Sequence, residues 1–89
     1  MQPMRYCGHQ FRMARAATGL STRQICELAS MSMRTLANIE TAAEIEYGVK
    51  QSGRFEEITI RKLVEVYEAR GIRFMPALAG SGAGVRYLP

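Results

Sequence analysis

Cys7, His9 and Cys26 are the side chains of this 89-residue sequence best able to hold a metal or act as nucleophiles. Their spacing suits neither task. A structural zinc ion takes about four ligands, and Cys7 with His9 supplies too few. No HExxH helix, nucleophile elbow or paired acid and base is present, and the chain contains no Asp. Gly80-Ser-Gly-Ala-Gly84 has the composition of a phosphate-binding loop. Such a loop must open a helix, however, and five residues after Gly84 leave no room for one. It reads as a flexible loop. The expectation is a non-enzyme without cofactor or metal.

The arginines are more informative. Residues 1–34 carry Arg5, Arg12, Arg15, Arg23 and Arg34 against Glu27 alone, whereas the remainder is balanced, so this first part holds the whole net charge of +4. A basic segment beside a neutral one points to a polyanionic partner such as nucleic acid. No apolar run approaches the ~18–20 residues that span a bilayer, and Met1-Gln2-Pro3-Met4-Arg5 lacks a secretory apolar stretch. The expected setting is the cytoplasm, with unpaired cysteines and Cys26 as a small buried residue.

The elements that position these residues read mainly as helices. Residues 1–8, with Pro3 and Gly8, suggest a flexible arm. His9 to Thr18 is helix-forming and stops at Gly19, with Phe11, Ala14 and Thr18 on one face. Ser21 offers an N-cap with Gln24 at capping-box spacing, and Ile25, Leu28 and Ala29 make an apolar stripe ending near Ser30. Ser32 caps a second short helix with Leu36 and Ile39 inward. Two short helices separated by about three residues outline a helix-turn-helix. Its requirements are met. Cys26 is small enough for the crossing, Ile25, Ala29, Met31, Leu36 and Ile39 are anchors, and Met33, Arg34, Ala37 and Asn38 face outward.

Residues 41–47 either extend the second motif helix or leave it, and Gly48 to Gly53 reads as a loop. Thr59 is expected to cap a final helix with Ile60, Leu63, Val64 and Tyr67 inward, closed by Gly71. Residues 72–75 and 85–88 are β-prone segments of a candidate hairpin. The domain reading is thus an arm over 1–8, a DNA-binding domain over 9–70 and a β-strand tail over 71–89.

The ordered set Gln10-Phe-Arg-Met-Ala-Arg-Ala-Ala-Thr-Gly-Leu-Ser21, Ile25-Cys-Glu-Leu-Ala29, Ser32 and Thr35-Leu-Ala-Asn-Ile-Glu40 resembles the Cro/XRE family of phage and bacterial repressors. The tail segments Gly71-Ile-Arg-Phe and Gly84-Val-Arg-Tyr-Leu are similar to those of some bacterial members. The resemblance implies a mainly α, lambda-repressor-like helical bundle with a helix-turn-helix, plus a C-terminal β-hairpin or short strands. It also implies that the second motif helix lies in the major groove of double-stranded DNA. Met33, Arg34 and Asn38 then face base edges, with Arg34 suited to guanine, Asn38 to adenine and Met33 to a thymine methyl. Thr22 contacts the backbone or an adjacent base. Ser21, Arg23, Ser32, Thr35 and Thr41 contact phosphate, with Lys50 and Arg54 of the 41–58 stretch as further phosphate candidates or a merely solvated surface. Arg15 and Glu40 form a largely buried structural ion pair.

Two positions depart from the family. Ser30 stands where Gly is usual at the turn, and Thr22 where Gln is usual. The 41–58 connection is also long. The tail is either a local cap on the core or a homodimerisation element. The functional expectation is a repressor binding an inverted-repeat operator as a homodimer. The alternatives are an antitoxin, which also binds a protein partner, and a protein-interaction adaptor of the same fold.

Overall fold

A computed structural model describes residues 4–75 and 83–88 of the chain, for Met4 the backbone alone. Among the described residues, four helices carry the fold, and three two-stranded antiparallel sheets brace them. The order is β1 (Met4–Tyr6), α1 (Gly8–Thr18), α2 (Thr22–Ala29), α3 (Met33–Glu40), β2 (Ile45–Tyr47), β3 (Gln51–Ser52), β4 (Phe55–Glu56), α4 (Glu57–Glu68), β5 (Ile72–Met75) and β6 (Gly84–Tyr87). This is a mainly α helix-turn-helix fold with C-terminal strands.

Phe11 and Ala14 of α1, Ile25 and Ala29 of α2, Leu36 and Ile39 of α3, and Ile60, Leu63, Val64 and Tyr67 of α4 converge on one core. Their i, i+3, i+4 spacing puts each set on one face of its helix. Leu28 does not join them and is 48% exposed. The buried side of α2 comprises Ile25, Cys26 and Ala29. At about 100° per residue, Leu28 lies roughly 100° round the helix from the centre of that group.

The chain between the helices is more ordered than its composition suggests. Residues 1–3 of the expected arm lie outside the described residues, but residues 4–6 are not an arm. Arg5 pairs with Glu46 and Tyr6 with Ile45 across β1 and β2, and Tyr6 is buried. Its ring meets Phe11, Tyr47 and Phe74. Burial of that ring, together with the β1–β2 ladder, fixes the segment. Helix α1 therefore begins at Gly8 rather than His9, with Cys7 as N-cap. Residues 41–47 do not extend α3, because Thr41 caps it and Ile45–Tyr47 turns away to pair with β1. The expected loop contains a hairpin, β3–β4, whose two-residue turn places Gly53 at φ 58°. Glycine as the first central residue is the requirement of a type II′ hairpin turn. Helix α4 starts at Glu57 with Glu56 as N-cap, three residues before the expected cap at Thr59. The Glu57 N–H donates to the Lys50 carbonyl, so the hairpin end supplies a partner that Thr59 is not needed to provide.

The tail is a hairpin with Ile72 opposite Tyr87 and Phe74 opposite Val85. Ile72 is buried, and the Phe74 ring packs at a tilt on Tyr6, Phe11 and Tyr67. Its inner face thus caps the core. The glycine-rich loop reading falls partly on residues 76–82, outside the described residues. One buried side chain fastens the hairpin to α1. Gln10 accepts from the Cys7 N–H and donates through Nε2 to the carbonyls of Met75 and Gly84 at 2.9 and 3.0 Å. Those groups would otherwise be orphaned near the core.

Candidate nucleic-acid interface

Local hydrogen bonding shapes the motif before any tertiary contact. The Ser21 hydroxyl accepts from the Gln24 N–H, while Gln24 Oε1 accepts from the Ser21 N–H, closing the capping box at the start of α2. Ser30 ends that helix at φ 55°, ψ 51°. It is a left-handed position, where a non-glycine residue costs around 1 kcal/mol. Met31 N–H reaches back to the Cys26 carbonyl, and Ser32 then caps α3 by accepting from the Thr35 N–H. The turn therefore forms with serine where the family resemblance leads one to expect glycine.

Cys26 is buried at the helix crossing. Its thiol contacts the Met33 sulfur at 3.7 Å. Burial and the Glu40 charge raise the thiol's pKa, so it remains neutral and fills space. Met33 is nevertheless half exposed. Arg34 and Ala37 are exposed and Asn38 is half-buried, while Leu36, Ile39 and Glu40 are buried on the opposite side of α3. The helix therefore presents Met33, Arg34 and Asn38 on one outward surface while its back is held in the core.

The phosphate candidates differ in what their hydroxyl protons already do. Ser32 donates to Thr35 Oγ1, and Thr41 donates to the Ala37 and Asn38 carbonyls. Phosphate oxygens accept only, so these two hydroxyls must break internal bonds to serve them. Ser21 and Thr35 keep their hydroxyl protons among the described contacts. Thr22 begins α2 and is half-buried, next to exposed Arg23. Neither Arg23 nor Arg34 has a carboxylate within ion-pair reach among the described residues. Lys50 and Arg54 are exposed at the β3–β4 hairpin, which packs chiefly on α4 and β2.

Behind α3, Arg15 Nε and Nη2 donate to the two oxygens of Glu40 at 2.8 and 3.0 Å. The Glu40 side chain is 8% exposed and that of Arg15 30%. The fork ties α1 to the last residue of α3, and its hydrogen bonds raise the Arg15 pKa further. Tyr67 lies beside this pair electrostatically, with its buried hydroxyl unpartnered among the described residues. Burial, and then Glu40, raise its pKa well above the usual tyrosine value, so the phenol stays neutral.

Gly8 and Gln10 are the positions that sequence reasoning missed. Both press α1 against distant backbone, the carbonyls of Ile39 and Glu40 for Gly8 and those of Met75 and Gly84 for Gln10. Backbone partners leave no pattern in residue types. No group of three or more metal-ligating side chains occurs among the described residues, and no helix among them is long and apolar enough to cross a membrane.

No curated protein matches the chain. A family model described as a helix-turn-helix domain matches residues 7–72, from the cap of α1 to the first residue of β5. That span contains both capped motif helices, the left-handed turn and the ion pair behind them, and on it the chain belongs to the helix-turn-helix domain family.

Proposed function

We propose that this protein is a sequence-specific transcriptional regulator, a repressor that binds an inverted-repeat operator as a homodimer. One observation carries the reading. Helix α3 holds Arg34 and Asn38 outward, four residues apart, while Leu36, Ile39 and the Glu40 fork fix its back. An arginine matches the O6 and N7 acceptors of guanine, and an asparagine the donor–acceptor edge of adenine. Met33 lies at the start of the same helix, where a thymine methyl would meet it. Thr22, Ser21, Arg23 and Thr35 surround this surface as backbone contacts, with Ser32 and Thr41 held back by their internal bonds. Lys50 and Arg54 extend the phosphate contacts.

A single domain of this size reads few base pairs, so two copies on a two-fold site supply the specificity, with half-sites about 10 bp apart. We assign the dimer contact to a strand edge of the β5–β6 hairpin, since its inner face is taken up by the core. Repression follows from occupancy, which excludes polymerase from an overlapping promoter.

Arg34→Ala is expected to weaken cognate binding by roughly 1–3 kcal/mol and relax preference at one base pair. Lys50→Ala and Arg54→Ala are expected to weaken all sequences alike and each lower the salt slope by about one. Titration of wild type and variants on cognate and scrambled duplexes checks this. Equal losses for Arg34→Ala on both would remove it from base reading.

A further inference from the structure

We infer that the outward face of the C-terminal hairpin docks an acidic, extended segment of a partner protein, with apolar side chains flanking its carboxylate. The register sets Arg73 directly opposite Arg86. Alternation sends Ile72 and Phe74 inward and both arginines to solvent. Like charges directly opposite on a sheet are destabilising. Neither arginine has a carboxylate within ion-pair reach among the described residues. Arg73 Nη1 donates to the Glu68 and Ile72 carbonyls, which orient its guanidinium without cancelling its charge. The fold thus holds two cations side by side.

The surroundings identify the occupant. Met75 lies two residues beyond Arg73 in the same strand and so shares the arginines' face, while exposed Leu88 follows the last residue of β6 at the other end of the pair. Met75 is 38% and Leu88 50% exposed. Gly84, opposite Met75, adds no side chain. The surface reads apolar, doubly basic, apolar along one line. A second copy laid face to face would bring four guanidiniums together. A DNA backbone would satisfy the arginines while setting phosphates against Met75 and Leu88. An extended peptide with a carboxylate at one position and apolar side chains two residues to either side matches all three parts. Each arginine can take that carboxylate through its N–H fork. This surface does not involve α3, and it is the outward face of the hairpin rather than the strand edge assigned to the dimer contact.

The test is panning of a phage-displayed library of random 12-residue peptides on the immobilised full chain, followed by titration of the enriched peptides as synthetic labelled probes. The expected winners carry Asp or Glu with apolar residues two positions away. Their affinity should fall at least tenfold on Arg73→Glu/Arg86→Glu, while binding to a random duplex stays within twofold. Arg86→Glu alone should raise the melting temperature by roughly 2–5 °C, because it turns the repulsion into a cross-strand ion pair. A cooperative melt of Arg73→Glu/Arg86→Glu shows that the hairpin used in the binding test still folds. No acidic enrichment, affinity indifferent to the charge reversal, or an unchanged or lower melting temperature for Arg86→Glu would each overturn the proposal. A tenfold loss of duplex binding on reversal would also overturn it, assigning the pair to phosphate where self-association by sedimentation is kept and to the dimer contact where it is lost.

Discussion

Replacing Arg15 with methionine is expected to cost the fold about 3–5 kcal/mol, the range for stranding one member of a buried ion pair. For a domain of this size that is a fall in melting temperature of more than about 10 °C. Methionine keeps much of the packed stem, so the loss isolates the charge. The reverse change, Glu40→Gln, should cost less, about 1–2 kcal/mol. The asymmetry follows from burial. Without Arg15, a carboxylate only 8% exposed is left without its fork, whereas Arg15 without the Glu40 charge is 30% exposed and can turn to water. The double variant Arg15→Met/Glu40→Met should recover part of the loss, since an apolar pair needs no desolvation of charge. Denaturant titration of the three variants checks the order. Single variants that each cost under about 1 kcal/mol would show that the fork does not hold α1 to α3.

Gly8→Ala should be similarly damaging for a steric reason. A Cβ there falls 2.8 Å from the Ile39 carbonyl oxygen and still closer to the Glu40 carbonyl group. Both are backbone, so no rotamer change gives relief. The same glycine donates its N–H to the Ala42 carbonyl at 2.8 Å, so α1 cannot back away without losing that bond. The expected loss is about 3 kcal/mol, the upper end for overpacking. Because Arg34 and Asn38 ride on the displaced helix, DNA affinity should fall even at temperatures where the variant is folded. Gly19→Ala is the control. It occupies open space at φ 74° and should cost only about 1 kcal/mol, without affecting DNA. Equal effects of the two substitutions in thermal melts and DNA titrations would contradict the account of the α1–α3 junction.

What the sequence discloses about this fold is its local chemistry. Ser21 with Gln24, and Ser32, mark helix starts because capping needs an oxygen within a turn of the N–H it serves. The inward stripe of α4 is legible for the same reason, as one period repeated over about two turns. Arg15 and Glu40 are legible through family resemblance, since a separation of 25 residues carries no local signal. Strands β1 to β4 are illegible because two or three residues are too few to establish alternation, whereas the four-residue β5 and β6 stand out as β-prone segments. Leu28 misleads because its spacing from Ile25 suits an inward stripe, while α2 turns its Cys26 side inward instead. Gln10 shows the limit most clearly. Its partners Met75 and Gly84 lie 65 and 74 residues away and contribute only carbonyls, so nothing in its neighbourhood announces the clamp.

The central claim is that α3 reads a specific duplex sequence on behalf of two copies of the chain. Selection of bound sequences from a random double-stranded pool, with the purified full chain, tests it most directly. The account predicts enrichment of an inverted repeat whose half-sites lie about 10 bp apart, with each half-site losing one preferred base when the selection is repeated on Arg34→Ala. A folded protein that enriches no sequence would contradict it.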